Sequence, residues 1–291
     1  MANAATLTAS SGGARLQSLW IVPPIAVIAG LFLYPLGLIV GEAVTGGTSS
    51  ISLAHFGRVL ATAAFQHALL NTIEIALASS AGCLVLGLVI ALILSFVPFP
   101  GSRIVARLIE TYIALPTFLA ALALTFLYGS AGILNGGLMS LLPTELPPVD
   151  FLYSPWGVIL AEVTVYTPFV MRPLLAAFSL IEASQIEVAS SLGARPFRIV
   201  RQIILPAAIP ALFAGGSLCL LLTVNEFGIV LFIGAKGVIT LPLLIYDKAI
   251  QEFDYTTACV IAVVNVVLSL GLYSLYRVVL TRFGGRRAGL V

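Results

Sequence analysis

Apolar residues fill this chain in long blocks, and polar residues gather in the gaps between them. Six blocks, at 19–40, 68–97, 111–129, 156–178, 207–231 and 257–280, come close to or exceed the roughly 20 residues that cross a bilayer as a helix. The apolar runs are continuous rather than alternating, which excludes a barrel. Backbone groups in hydrocarbon must then be satisfied within helices. Between blocks three and four, residues 130–155 are rich in Gly, Pro and Ser and predict a short interfacial helix within a turn-rich connection. The piece 241–250 is too short to span and is expected as a short helix on the outer face. The small, polar residues 1–15 are expected to be disordered, and 16–291 to form a single membrane domain. The uncharged stretch from Leu16 outruns the roughly 7–15 apolar residues of a signal peptide, so it reads as a retained first helix.

Composition sharpens the class. Hydrophobic residues make up 60% of the chain and charged residues 9%, against roughly 25% charged in soluble domains. A water-facing globule is excluded. The three cysteines, Cys83, Cys219 and Cys259, lie inside apolar blocks without paired spacing and read as small packing residues. His55 and His67 form no ligand motif, so no metal site is expected. No nucleic-acid partner is expected either.

The placement of charge gives orientation. Of the 14 basic residues, Arg15, Arg103, Arg107, Arg172, Arg195, Arg198, Arg201, Arg277, Arg282, Arg286 and Arg287 fall on one side. Only Arg58, Lys236 and Lys248 fall on the other, with Glu42, Glu145, Asp150, Asp247, Glu252 and Asp254. Both termini and the connection between blocks four and five are therefore expected in the cytoplasm.

That connection reads "EVASSLGARPFRIVRQIILP" over 187–206. Ser184 and Glu187 fit a capping box, so a helix is expected from Ser184. Gly193 supplies a left-handed stop, and Pro196 opens a second helix. Arg198 and Arg201 are placed to snorkel at the membrane surface, and Pro206 and Pro210 fall near the start of the next span. Taken alone, this is either an amphipathic connector on lipid headgroups or a docking element for a cytoplasmic partner.

The spacing resembles the E-A-A-x3-G-x9-I-x-L-P signature of ABC-importer permeases, at Glu187, Ala189, Gly193, Ile203, Leu205 and Pro206. Val188 and Arg195 depart from its usual small and capping residues. The resemblance implies that Glu187–Pro206, with Pro196, forms a coupling helix seated in a cytoplasmic dimer of ATP-binding subunits. It also implies a second permease subunit, a sister or a copy, and a periplasmic substrate-binding protein, all at a bacterial inner membrane. ATP and magnesium would sit on the ATPase; this chain has no G-x-x-x-x-G-K-[ST] loop and binds no cofactor directly. Within the family, "NEFG" from Asn225 and "LYGSAGILNGG" from Leu127 resemble the sulfate, molybdate, iron, spermidine and phosphonate branch, most of all permeases for 2-aminoethylphosphonate. Iron or another oxyanion is the alternative solute. A secondary transporter is the remote alternative, and an intramembrane enzyme lacks any nucleophile or metal motif.

Ionisable residues inside spans are functional candidates, because burying each in lipid costs a few kcal/mol or more. Glu226, with Asn225, reads either as a gate near a dimer axis or as a carboxyl bonded to a neighbouring helix. Arg172 reads either as a headgroup partner or as a guard of the cytoplasmic end that favours an anion. Glu162 and Glu74 read as structural or interfacial.

Overall fold

A computed structural model describes residues 20–46, 52–142 and 146–284, with side chains in the last helix up to Val279. The expected disordered segment 1–15, with Arg15, and the residues Glu145, Arg286 and Arg287 lie outside the described residues, as does the side chain of Arg282. Among the described residues every regular element is a helix, and six stretches are long and apolar enough to cross a membrane.

The elements follow the apolar blocks with instructive shifts. Helix α1 covers Val22–Thr45 and contains one wide π turn at Ala29–Leu33, just ahead of Pro35. The short α2 is Ala54–Leu60, and α3 runs Ala63–Phe96. At 34 residues, α3 is about 51 Å long, well beyond the roughly 30 Å hydrocarbon layer. The third block does not form one helix over 111–129. Amphipathic α4 (Ser102–Tyr112) ends first, Pro116 restarts the chain, and α5 (Thr117–Tyr128) is followed by α6 (Ile133–Leu141) across a break at Gly129 and Gly132. The candidate span thus runs Thr117–Leu141. Helix α7 is Pro155–Phe178, α8 is Ala183–Ser191 and α9 is Pro196–Val224. The fifth block was expected to continue to 231, but the helix ends at Val224 and a separate α10 (Gly228–Ile233) follows. Helix α11 is Leu241–Tyr246, prolonged by a wide turn over Asp247–Gln251, and α12 is Tyr255–Gly284.

The main core joins α3, α7 and α9, with α5 and α10 packed on it. Small residues let the backbones approach. A Cβ on Gly87 of α3 would lie 2.9 Å from Cβ of Val170, and one on Gly215 of α9 would lie 2.8 Å from the Val170 Cα. Val170 of α7 is thus clasped between two glycines. Gly215→Val would force α7 and α9 apart, and overpacking of this kind costs about 1–3 kcal/mol. A lowered unfolding temperature of the detergent-solubilised chain is the expected result. A second core ties α1, α2, α11 and α12 together through Ala43, Val59, Leu244 and Ile261. Tyr276 of α12 packs over Gly216 of α9, where a Cβ would run into its hydroxyl.

Asp254 starts α12: its Oδ1 accepts the Thr257 N–H at 3.1 Å. Burial pushes this carboxyl toward its neutral form. The hydroxyl and N–H of Thr257, with the charge of Lys248, outweigh that push and hold it below the usual carboxylate range. A lowered folded-state pKa gives stability that is present above the ordinary carboxyl pKa and lost as pH falls through the lowered one. Asp254→Ala should therefore cost about 1 kcal/mol at neutral pH. In thermal melts that gap from the native chain should close in acid, below about pH 4.

Candidate functional site

Two places gather the residues singled out in the sequence. The first is the connection between α7 and α9. Helix α8 begins at Ala183, one residue earlier than expected, with the Glu182 backbone extended ahead of it. This shift leaves the expected capping box unformed. Ser184 falls inside the first turn, and its hydroxyl donates to the Glu182 carboxylate at 3.1 Å. The stop forms as expected. Gly193 adopts φ +80°, its N–H reaches the Ser190 carbonyl at 2.9 Å, and the Ala194 N–H reaches the Ala189 carbonyl at 3.0 Å. That pair of bonds is the Schellman closure, which needs a left-handed residue and so favours glycine.

Pro196 opens α9 after an extended Arg195, also as expected. The chain then makes a wide turn at Val200–Ile204, with the Leu205 N–H bonded to the Val200 carbonyl. This turn lies directly ahead of Pro206, whose ring would crowd the Gln202 carbonyl in a regular helix. Ala189 and Ile203 rest half-buried against the main core, and Leu205 is half-buried beside them. Glu187, Gly193, Pro196 and Pro206 are exposed. No residue of α8 is buried, and Leu180, Val188, Leu192 and Phe197 are all exposed, Leu192 by 83%. An apolar surface on a polar, basic loop is suited to covering by another molecule.

The second place lies where α9 ends. Glu226 is buried, accepts the Ile229 N–H at 2.7 Å, and takes the hydroxyl of Tyr166 on the other oxygen. One carboxylate thus caps α10 and ties the break after α9 to the middle of α7. Glu162, one turn before Tyr166 on the same face of α7, is 1% exposed, and its Oε2 has no hydrogen-bond partner among the described residues. Neither carboxylate pairs with a basic residue among the described ones. Asn225 is exposed, and its side chain bonds to Asn265 at 3.0 Å and Ser269 at 3.3 Å on α12.

Of the other candidates, Arg172 does not join Glu226. It lies six residues past Tyr166, roughly 9 Å along the helix, and approaches Glu110 of α4 at 3.9 Å, with both side chains well exposed. Glu74 stays exposed on α3, between exposed Leu70 and Leu77. Tyr166, Asn265 and Ser269 were not singled out in the sequence. The only signals they carry in the sequence are that Tyr166 lies one turn from Glu162, and that Asn265 and Ser269 lie one turn from each other on an apolar helix.

Residues 83–285 match the family described as "Binding-protein-dependent transport system inner membrane component". The chain belongs to this family. It is an ABC-transporter permease: a multi-pass inner-membrane transport subunit, not an ATPase, working with an ATPase and a periplasmic binding protein. The permease is 62% identical over 268 residues to a Salmonella typhimurium protein provisionally named the 2-aminoethylphosphonate transport system permease protein PhnU, covering 92% of this chain and 94% of that one. It is 32% identical over 207 residues to a Chlorella vulgaris protein provisionally named the sulfate transport system permease protein cysT, covering 70% and 75%. In fold it matches a bacterial ABC transporter involved in the import of the acidic polysaccharide alginate, at TM-score 0.79 and 18% identity, over 92% and 96% of the two chains.

Proposed function

We propose that this permease admits 2-aminoethylphosphonate or a closely related phosphonate. The observation that carries the reading is its 62% identity, over nearly the whole of both chains, to the Salmonella protein. In this reading both termini and α8 face the cytoplasm, as the arginines dictate. A second permease subunit completes the path. Helix α8 and its Gly193 turn seat in a groove of the ATPase, where the exposed Val188 and Leu192 find cover. ATP and magnesium stay on that partner. Glu226 and Asn225 hold the break after α9 at the path, and Arg172 favours an anionic solute at the cytoplasmic end.

The test is uptake of labelled 2-aminoethylphosphonate by vesicles holding the complete system with ATP and no ion gradient. Saturable uptake, blocked by excess unlabelled solute and not by sulfate, is expected. Uptake competed by sulfate or iron instead would overturn the substrate. A cysteine at Val188 should crosslink to the ATPase subunit, and labelling of that cysteine from the periplasmic side alone would overturn the orientation. Arg172→Ala should slow uptake at least severalfold while the complex still assembles; unchanged uptake removes Arg172 from the path.

A further inference from the structure

At the end of the bundle opposite the Arg-rich loops, α2, α11 and the start of α12 frame a half-open cavity of about 310 Å³. Its lining includes His55, Arg58, Lys248, Asp254 and Thr257 beside the apolar Leu244. Basic side chains are scarce at this end. Only Arg58, Lys236 and Lys248 are assigned to it by sequence, and two of the three meet in this cavity.

The charges there are unevenly matched. Lys248 pairs with Glu252 at 2.6 Å. Arg58 has no carboxylate partner among the described residues; its Nη2 donates to Nδ1 of His55 at 2.8 Å. An imidazole that accepts this bond is neutral at that nitrogen, so the guanidinium keeps an unanswered positive charge. The His55 ring lies against Gly46, where a Cβ would fall 2.2 Å from Nε2. Asp254 accepts the Thr257 N–H, which leaves its carboxylate further lone pairs.

The backbone around Asp254 is built rather than incidental. Phe253, at φ +57°, is the one non-glycine residue with positive φ among those described. Its left-handed turn is closed by the Asp254 N–H on the Lys248 carbonyl at 2.8 Å. Such a conformation is costly for a bulky residue and tends to persist where it places a neighbour. Here the neighbour is the one carboxylate that lines the cavity.

We propose that this cavity binds an aminoethyl-phosphoryl group, with phosphoryl oxygens on the Arg58 guanidinium and the amine on the Asp254 carboxylate. A planar guanidinium suits a tetrahedral oxyanion, and the carboxylate distinguishes an amine from a plain alkyl tail. Two sources carry this group. One is free 2-aminoethylphosphonate, which rests on the substrate reading above. The other is the headgroup of phosphatidylethanolamine, which does not rest on it. Exposed Leu53 and Leu60 on either side of Arg58 place α2 where headgroups are found.

The full-length chain in nanodiscs of phosphatidylcholine and phosphatidylglycerol is titrated with 2-aminoethylphosphonate and with ethylphosphonate, followed by phosphorus NMR. In parallel, the chain is purified from membranes rich in phosphatidylethanolamine, and its retained lipid is quantified by mass spectrometry. If the solute is the source, the native chain binds the aminoethyl compound more tightly than the ethyl one. Arg58→Gln then weakens both on the order of tenfold. Asp254→Asn, which keeps the helix cap, removes only the preference for the amine. If the lipid is the source, phosphatidylethanolamine is retained by the native chain and lost from Arg58→Gln. Lys236→Gln, outside the cavity, changes neither arm. Should Arg58→Gln melt early, Arg58→Lys replaces it, with the native chain's preference between the two phosphonates as a variant-free readout.

The proposal is overturned if the native chain shows no preference for the amine and retains no phosphatidylethanolamine. It is also overturned if Arg58→Gln matches the native chain in both arms. Uptake by the complete system separates the two readings. Intact uptake with both arms negative removes this site alone, whereas a positive lipid arm without 2-aminoethylphosphonate uptake removes the substrate alone.

Discussion

Glu226→Ala is expected to be among the most damaging single substitutions in this permease. It strips the acceptor from two buried donors at once, the Ile229 N–H and the Tyr166 hydroxyl. Each orphaned buried donor costs about 1–3 kcal/mol, so a loss of about 2–6 kcal/mol is expected. With it goes the tie between the end of α9 and the middle of α7. Thermal melts in detergent should fall well below those of the native protein, and uptake should fall with them. Glu226→Gln is the informative control. It keeps an oxygen for Ile229 and should recover most of the melting temperature. If uptake nevertheless stays low, the carboxylate's charge acts in transport as well as in holding the fold. If alanine melts like the native chain, the carboxylate is no tie at all.

Gly193→Val should be the second. The position sits at φ +80°, which costs a side-chain-bearing residue roughly 1–2 kcal/mol and a β-branched one more. Adding bulk there meets no neighbour among the described residues, since a Cβ would find none of them within 4 Å. The strain is therefore purely conformational and local. The turn is expected to re-form differently and α8 to re-aim, while the buried α3–α7–α9 core stays as it is. Nearly complete loss of ATP-driven uptake is expected, with normal amounts of permease in the membrane and a lost crosslink from position 188. Gly193→Asn, which tolerates the left-handed region, should restore part of both. Normal uptake in the valine variant would mean that the shape of this turn has no part in coupling.

Much of this was legible in the sequence because lipid imposes simple rules. Continuous apolar blocks gave the number of candidate spans, and block four matched its helix to within a residue. The Gly193 stop and the Pro196 start were readable because each depends on one residue's backbone limits. What could not be read were breaks inside apolar sequence. Asn225 and Glu226 mark a polar pair after Val224 but do not by themselves predict a new helix, and the helix ends there because the Glu226 carboxylate can serve a new N-terminus and Tyr166 can hold it. The capping box at Ser184 failed for a similar reason: a one-residue shift in the helix start moves the hydroxyl out of reach. The third block misled because Pro116 breaks it ahead of α5, and because the span runs on past Gly129 into α6. Tyr166, Asn265 and Ser269 became visible only when separate helices were brought together.

The wide turn at Val200–Ile204 has a mechanical consequence. A straight rod passes a push at its tip along its own axis. One with an enlarged loop of backbone near its base, and a ring beyond it that forbids the ordinary bond, bends there first. Force applied near Gly193 would then emerge at Val224 as tilt more than as thrust. Spin labels flanking the turn should report a change of angle between nucleotide states, with little change in the distance along α9 itself.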